Sequence, residues 1–326
     1  MQHRVWGGIA LAALGWGTAG VATRAALEEG VPPFAIALYR SVLAAVIVAA
    51  FISARAAWQR PDRQTVQLSM VMAVLNLAAP FLLSTLALQY ASAGFVGLLA
   101  SLIPLMTAVL AHLMLPDEPL RPAKVWGLLV ALAGVAVLVL SGDSGLEEGG
   151  RPGVALLLGL TSVVVIAFAG IYAKRRSGSY DPIEMTGLQF AFGTLFLGAA
   201  MLVVEGPSIG YGATGWALLG YMALAGGFVP FVLFYWLLRH VSASYASIIG
   251  YLVPLVAVIA GILFLDERLQ PGIAFGGLLI LAGVIVTDRA EARWVRAMGG
   301  AGGGVLPPGA TGDPVAGPQQ PGSDEQ

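Results

Sequence analysis

Cysteine is absent from all 326 positions, and histidine occurs only three times. Disulfides, thiolate metal sites and cysteine nucleophiles are therefore excluded, and the redox state of the compartment leaves no mark on the chain. No His-Glu-x-x-His or Walker loop occurs in the sequence, and the one Gly-x-Ser-x-Gly string, Gly206-Pro207-Ser208-Ile209-Gly210, falls in a short link between two apolar runs rather than at the strand-to-helix elbow a hydrolase needs. A zinc protease, a lipase-like hydrolase and a self-contained ATP-driven pump each lack their machinery. Charge is also scarce: 11% of residues are charged against 58% hydrophobic, with a mean hydropathy of +0.83. So much apolar surface cannot be hidden in one water-soluble core, and a bilayer must cover it.

What the chain does have is a series of long apolar runs. Ten occur, approximately at 5–23, 34–53, 67–88, 93–115, 124–140, 153–173, 184–204, 214–237, 243–265 and 272–288. Each is near the roughly 20 residues a helix needs to cross about 30 Å of hydrocarbon. They are apolar on all faces and too long for barrel strands of about 10 alternating residues, so helices are the expected form. Met1–Arg4 and the small residues at Ala19–Ala22 have some features of a cleavable signal peptide. The apolar stretch is long for one, and its removal would leave an odd nine spans, so an uncleaved first span is expected.

The net charge of −1 informs only through its placement, and nucleic acid is not expected as a partner. Arg4, the 54–66 loop, the 116–123 turn, the 174–183 loop, Arg239 and the segment after 288 carry most of the basic residues. Only Arg24, Arg151 and Arg268 fall on the other side, with Arg40 inside a span. The positive-inside rule then predicts a multi-pass protein of the cell (inner) membrane with both termini cytoplasmic. Trp6, Trp58, Trp126, Trp216, Trp236 and Trp294 lie near span ends, as interfacial anchors do; Trp16 is at mid-span. Residues 142–152 read as a periplasmic linker, and residues 289–326, rich in Gly and Pro toward their end, as a disordered cytoplasmic tail.

The chain also repeats itself. A shift of 150 lays Pro80-Phe81 on Pro230-Phe231, Ser92-Ala93 on Ser242-Ala243 and Pro104-Leu105 on Pro254-Leu255. A shift of 149 lays Asp117-Glu118 on Asp266-Glu267 and Arg40 on Gln189. Two units, 1–141 and 153–288, thus hold five spans each. Because five is odd, the second unit enters the membrane from the opposite side. The expected fold is all-α, with ten transmembrane helices as two inverted five-helix repeats and a substrate site near the midplane between them.

Gln89-Tyr90-Ala91-Ser92-Ala93 through Ile103-Pro104-Leu105 to Asp117-Glu118-Pro119-Leu120, with the second copies Ser242-Ala243, Val253-Pro254-Leu255 and Asp266-Glu267-Arg268-Leu269, resemble the EamA-type members of the drug/metabolite transporter superfamily. The resemblance covers residues 5–288. It implies a basket of two EamA domains that exports amino acids, related metabolites or drugs. Pro116 is an extra residue in the first copy.

Arg40 lies about seven residues, roughly 10 Å, into the second span. It reads either as a fixed cation for a substrate carboxylate or phosphate, or as a side chain that snorkels to the membrane surface. Gln189 takes the matching place in the second repeat. Ser244, Ser247 and Tyr251 share one helix face before Pro254, and their counterparts are Gly94, Gly97 and Ser101 before Pro104. Those faces either line a cavity or pack helices closely. Trp16 and Asn76 are mid-span and could stack on or hydrogen-bond a ligand; Tyr235 reads as an interface anchor. Arg40, Tyr251, Asn76, Ser101, Gln189, Ser247 and Trp16 thus form the candidate substrate-binding set. No catalytic residue, metal or cofactor is expected.

Asp117-Glu118 and Asp266-Glu267 read as caps of the helices that follow them. The glycine pairs Gly127/Gly134 and Gly276/Gly283 read as packing seams. With no Asp or Glu deep in a span, a facilitator or exchanger is expected rather than a carboxylate-coupled proton antiporter. The expected partners are a small-molecule substrate, the lipid bilayer and a second copy of the chain in a homodimer. Alternatives are a drug or nucleoside exporter, a membrane-embedded enzyme or a lipid-handling protein.

Overall fold

The computed structural model describes residues 2–54, 61–114, 122–146, 149–176, 181–240 and 249–301. Among them every regular element is helical. Seven helices are long and apolar enough to cross a membrane, and three shorter apolar ones (Val125–Leu138, Leu252–Leu265 and Pro271–Val286) complete the expected ten.

The first two spans are single helices, α1 (Gln2–Glu28) and α2 (Pro33–Ala54). The third is composite: α3 (Arg63–Met72), a π-helical segment π1 (Ala73–Ala78) and α4 (Ala79–Ala87). The eighth has the same construction, from α10 (Ala213–Ala223), π2 (Leu224–Phe228) and α11 (Val229–His240). The cause is local. Pro80 and Pro230 have no N–H, and each ring collides with the carbonyl four residues back, that of Asn76 or Gly226. One inserted residue per turn relieves the collision. Accordingly the N–H of Ala79 reaches the carbonyl of Val74, and that of Val229 reaches Leu224, each five residues back.

Pro104 acts differently. It separates α5 (Ala93–Ala100) from α6 (Ile103–Met114), and the gap is closed by short bonds from Ser101 N–H to Leu98 and from Leu102 N–H to Leu99. The fourth span is therefore broken. The remaining elements are α7 (Pro122–Leu140), α8 (Pro152–Arg176), α9 (Pro182–Val204), α12 (Ile249–Leu265) and α13 (Pro271–Ala301). Helix α13 corrects one expectation. It continues through residues 289–301, assigned above to the disordered tail, because Ala, Glu, Arg and Met in that stretch favour helix. Residues 302–326, with the rest of the expected tail, lie outside the described residues.

Helices of the two repeats interleave: α1 packs on α12, α2 on α9, α4 on α8, α5 on α12 and α7 on α13. The α7–α13 seam rests on glycine, as expected. A Cβ on Gly134 would stand 2.6 Å from the Gly276 carbonyl oxygen, and one on Gly276 would stand 2.8 Å from that of Gly134. Gly134→Ala is expected to cost about 1–3 kcal/mol through overpacking against backbone. Gly170→Ala, which meets open space, should not. Thermal unfolding in detergent compares the two.

Helix ends gather on two faces, a near face holding Arg4 and Asp181 and a far face holding the 141–151 linker. The far face is tightly tied. Ser92 N–H donates to Ser144, Arg151 N–H to Tyr90 and Gly145 N–H to Gln270, while Asp143 accepts from Gly272 N–H at the start of α13. The linker is thus a clasp between the repeats.

Candidate functional site

Arg40 projects from α2 into the middle of the bundle and is only 7% exposed. Its guanidinium carbon lies 3.7 Å from the centre of the Phe81 ring on α4, a cation–π contact of the kind that strengthens away from water. Among the described residues its Nε has no hydrogen-bond partner and no carboxylate forms an ion pair with it. On its far side is π2. Gly226, whose carbonyl is displaced by Pro230, has no side chain, and a Cβ there would stand 2.5 Å from Ala19 and 3.7 Å from Arg40 Nη2. The glycine lets α1 and Arg40 both reach the π turn.

Around this cation runs a cluster of rings. Phe81 meets Phe190 at 6.3 Å and Phe231 at 6.1 Å, and Phe190 meets Phe231 at 5.3 Å. Phe231 continues to Trp16 at 5.7 Å, Trp16 to Phe234 at 5.8 Å, and Phe234 to Tyr235 at 5.8 Å. Tyr235 then donates its hydroxyl to Gln189 Oε1 at 2.5 Å. Gln189 is fully buried, and its Nε2 has no partner among the described residues. The repeat-related pair Arg40 and Gln189 therefore stand at the two ends of one aromatic cluster, each with unspent donors. Such a site suits a ligand with acceptor oxygens and an apolar or aromatic body.

Of the sequence-derived candidates, Arg40, Gln189 and Trp16 are brought together. Asn76 is half-buried in π1, and its amide forms no hydrogen bond among the described residues. Ser101 is buried at the break between α5 and α6 and donates to the Leu98 carbonyl at 2.6 Å, so its hydrogen is used within its own turn. Ser244 and Ser247 lie outside the described residues, as does the Tyr251 side chain; its backbone belongs to α12. Gly94 and Gly97 pack against Val258 and Ala257 of α12. Tyr235 corrects the reading of it as an interface anchor. It is 3% exposed, because its hydroxyl is needed to satisfy Gln189.

Sequence reasoning also passed over Phe81, Phe231 and Gly226. A signal was present, since Pro80-Phe81 and Pro230-Phe231 are the identities that reveal the repeat. What the pairs lacked was any mark separating a site ring from core packing.

Two carboxylates close the far face. Glu205, at the end of α9, accepts from Phe34 and Ala35 N–H at 3.0 and 3.1 Å, capping α2. Glu267, past the end of α12, accepts from Ala93 and Gly94 N–H at 2.6 and 3.2 Å, capping α5. The latter corrects the expectation that Glu267 caps the helix after it. Asp266 takes a left-handed conformation (φ 50°) that turns the chain back. Gly261 leaves the room into which the carboxylate folds. Asp117-Glu118 lie outside the described residues.

Burial raises the Glu267 carboxyl above the usual glutamate range, against the opposing pull of its two N–H donors and of Arg24. Its charge therefore costs stability. The cost is absent below the ordinary glutamate pKa of about 4.3 and grows as pH rises above it. Glu267→Gln is expected to flatten that decline, read from unfolding midpoints between about pH 4 and pH 8.

Residues 6–140 and again 153–287 match the EamA-like transporter family. The chain is 28% identical over 286 residues to the uncharacterized transporter YvbV of Bacillus subtilis (strain 168), covering 87% of this chain and 92% of that protein. It is 25% identical over 274 residues to the uncharacterized inner membrane transporter YedA of Escherichia coli (strain K12), covering 83% and 87%. A protein of known crystal structure shares the fold, with a TM-score of 0.59 and 21% identity over 88% of this chain and 97% of that one. With both repeats matched, this chain belongs to the EamA-like transporter family and is a membrane transporter.

Proposed function

We propose that the protein exports a small metabolite carrying a carboxylate, amino acids or related compounds, across the inner membrane by alternating access between its two repeats. The observation that carries this reading is Arg40, a buried guanidinium with no anionic partner among the described residues, set against a wall of rings. An isolated buried charge is costly, and a substrate carboxylate would offset that cost while the rings hold the rest of the molecule.

The basic-loop bias makes the near face cytoplasmic and the far face periplasmic. Release to the outside then requires the far face to part, which means breaking the caps that Glu205 and Glu267 provide. The π turns at 73–78 and 224–228 supply the flexible points, since their backbone bonds are already displaced. With Arg40 the charged group at the site, movement follows the substrate gradient or exchange.

Purified protein in liposomes should show saturable counterflow of at least one amino acid or related carboxylate. A broad panel without flux above empty liposomes would overturn the reading. Nucleosides and neutral drugs form a second reading, favoured by the ring cluster, and belong in the same panel; cationic drugs would be repelled by Arg40.

A further inference from the structure

On the near face, away from Arg40, a cleft of about 440 Å³ opens between α1, α9 and α11. It exists because α1 carries Gly7 and Gly8 there. The place of a Gly7 side chain is open, and that of Gly8 is 3.6 Å from the Trp236 ring. Leu11, Val232 and Leu233 make its walls apolar, and Leu11, half exposed, leads on to the equally exposed Leu14 along the outside of the bundle.

The mouth of the cleft is charged. Arg4, one turn before Gly8 on the same face, is exposed and has no hydrogen bond or ion pair among the described residues. The carboxylate at the rim, Asp181, is committed elsewhere: it accepts from Ile183 and Glu184 N–H at 2.8 and 3.0 Å. There the positive end of α9 offsets its charge. Among the described residues the cleft therefore offers one free cation at the membrane surface and a long apolar trough beneath it.

We infer that this cleft binds a phospholipid with an anionic headgroup, its phosphate on Arg4 and one acyl chain along Gly8 and Leu11. A soluble anion would gain nothing from the trough, and a zwitterionic lipid less from Arg4, because its own ammonium group offsets the charge of its phosphate. Basic pockets between membrane helices are recurrent sites for acidic lipids.

The test uses full-length protein in neutral detergent, with phosphatidylglycerol or phosphatidylcholine added and retained lipid read by native mass spectrometry. Wild type should retain phosphatidylglycerol preferentially. Arg4→Gln should lower that retention about fivefold, to the phosphatidylcholine level. Gly7→Leu, which has space to fold, should fill the cleft and lower retention of both. Arg151→Gln, on the far face, should behave as wild type. Equal retention of the two lipids by wild type, or an undiminished preference in Arg4→Gln, overturns the inference. So does glycerol phosphate competing as well as the intact lipid, since the trough would then play no part.

Discussion

Arg40→Met is expected to leave the protein folded, at least as stable as wild type, and without measurable transport. Charge-assisted hydrogen bonds contribute about 1.5–3 kcal/mol each. Losing a two-pronged grip on a carboxylate therefore costs about 3 kcal/mol or more, roughly 100-fold in affinity. Stability should move the other way. A charged side chain at the membrane centre costs at least about 2.5–3.5 kcal/mol to insert, against which the contact with Phe81 returns about 0.5–2 kcal/mol. A purely structural arginine would show the opposite pairing, with a loss of folding that accounts for the loss of flux. Counterflow in liposomes together with unfolding in detergent separates the two. Arg40→Lys, which keeps the charge but not the planar fork, should retain a weakened activity. Wild-type flux in Arg40→Met would remove Arg40 from the site.

The second large effect is expected from one methyl group. At Gly15 an added Cβ would overlap the Ala225 carbonyl oxygen and stand 2.7 Å from Pro230 Cγ. Neither obstacle is a flexible side chain: one is the backbone of π2, the other a proline ring. Overpacking typically costs about 1–3 kcal/mol, and Gly15→Ala should fall at the upper end. The displacement would also act through π2, whose Gly226 borders Arg40, so transport should drop along with the unfolding midpoint. Gly20 lies on the same helix with nothing within 4 Å of its would-be Cβ. Gly20→Ala is the matched control and should be neutral or slightly stabilising, since alanine favours helix by about 1 kcal/mol. Indistinguishable behaviour of the two variants would show that α1 does not bear on π2 as the structure has it.

Much of this architecture is legible in the residues themselves. Run length gives the ten spans, the 150-residue shift gives the repeat, and the same shift pairs Arg40 with Gln189. The fate of the prolines is not legible. Pro80 and Pro230 induce π turns, Pro104 splits a span into α5 and α6, and Pro254 lies inside an uninterrupted α12. A proline removes one donor in every case, but whether the chain bulges, breaks or only bends depends on what packs beside it, which no local pattern records. Glu267 illustrates the same limit. Capping rules point to the next helix in sequence, whereas the carboxylate turns back to a helix of the other repeat, by way of a left-handed Asp266 and a bare Gly261. The ring cluster was hidden for a third reason. Phenylalanine in a membrane helix is ordinary, and only the cation beside Phe81 distinguishes it.

The buried guanidinium of Arg40, without an anionic partner among the described residues, also has an electrical consequence. A charge that moves through the membrane field gains or loses about 2.3 kcal/mol per 100 mV, in proportion to the part of the field it crosses. Under the proposed alternating access, an empty carrier would expose Arg40 first to one side and then to the other, whereas a carrier holding a monoanion there would be neutral at the same place. Voltage would then act on the return of the empty protein and leave the loaded step almost untouched. Net efflux would accordingly be voltage-sensitive, and one-for-one exchange would not.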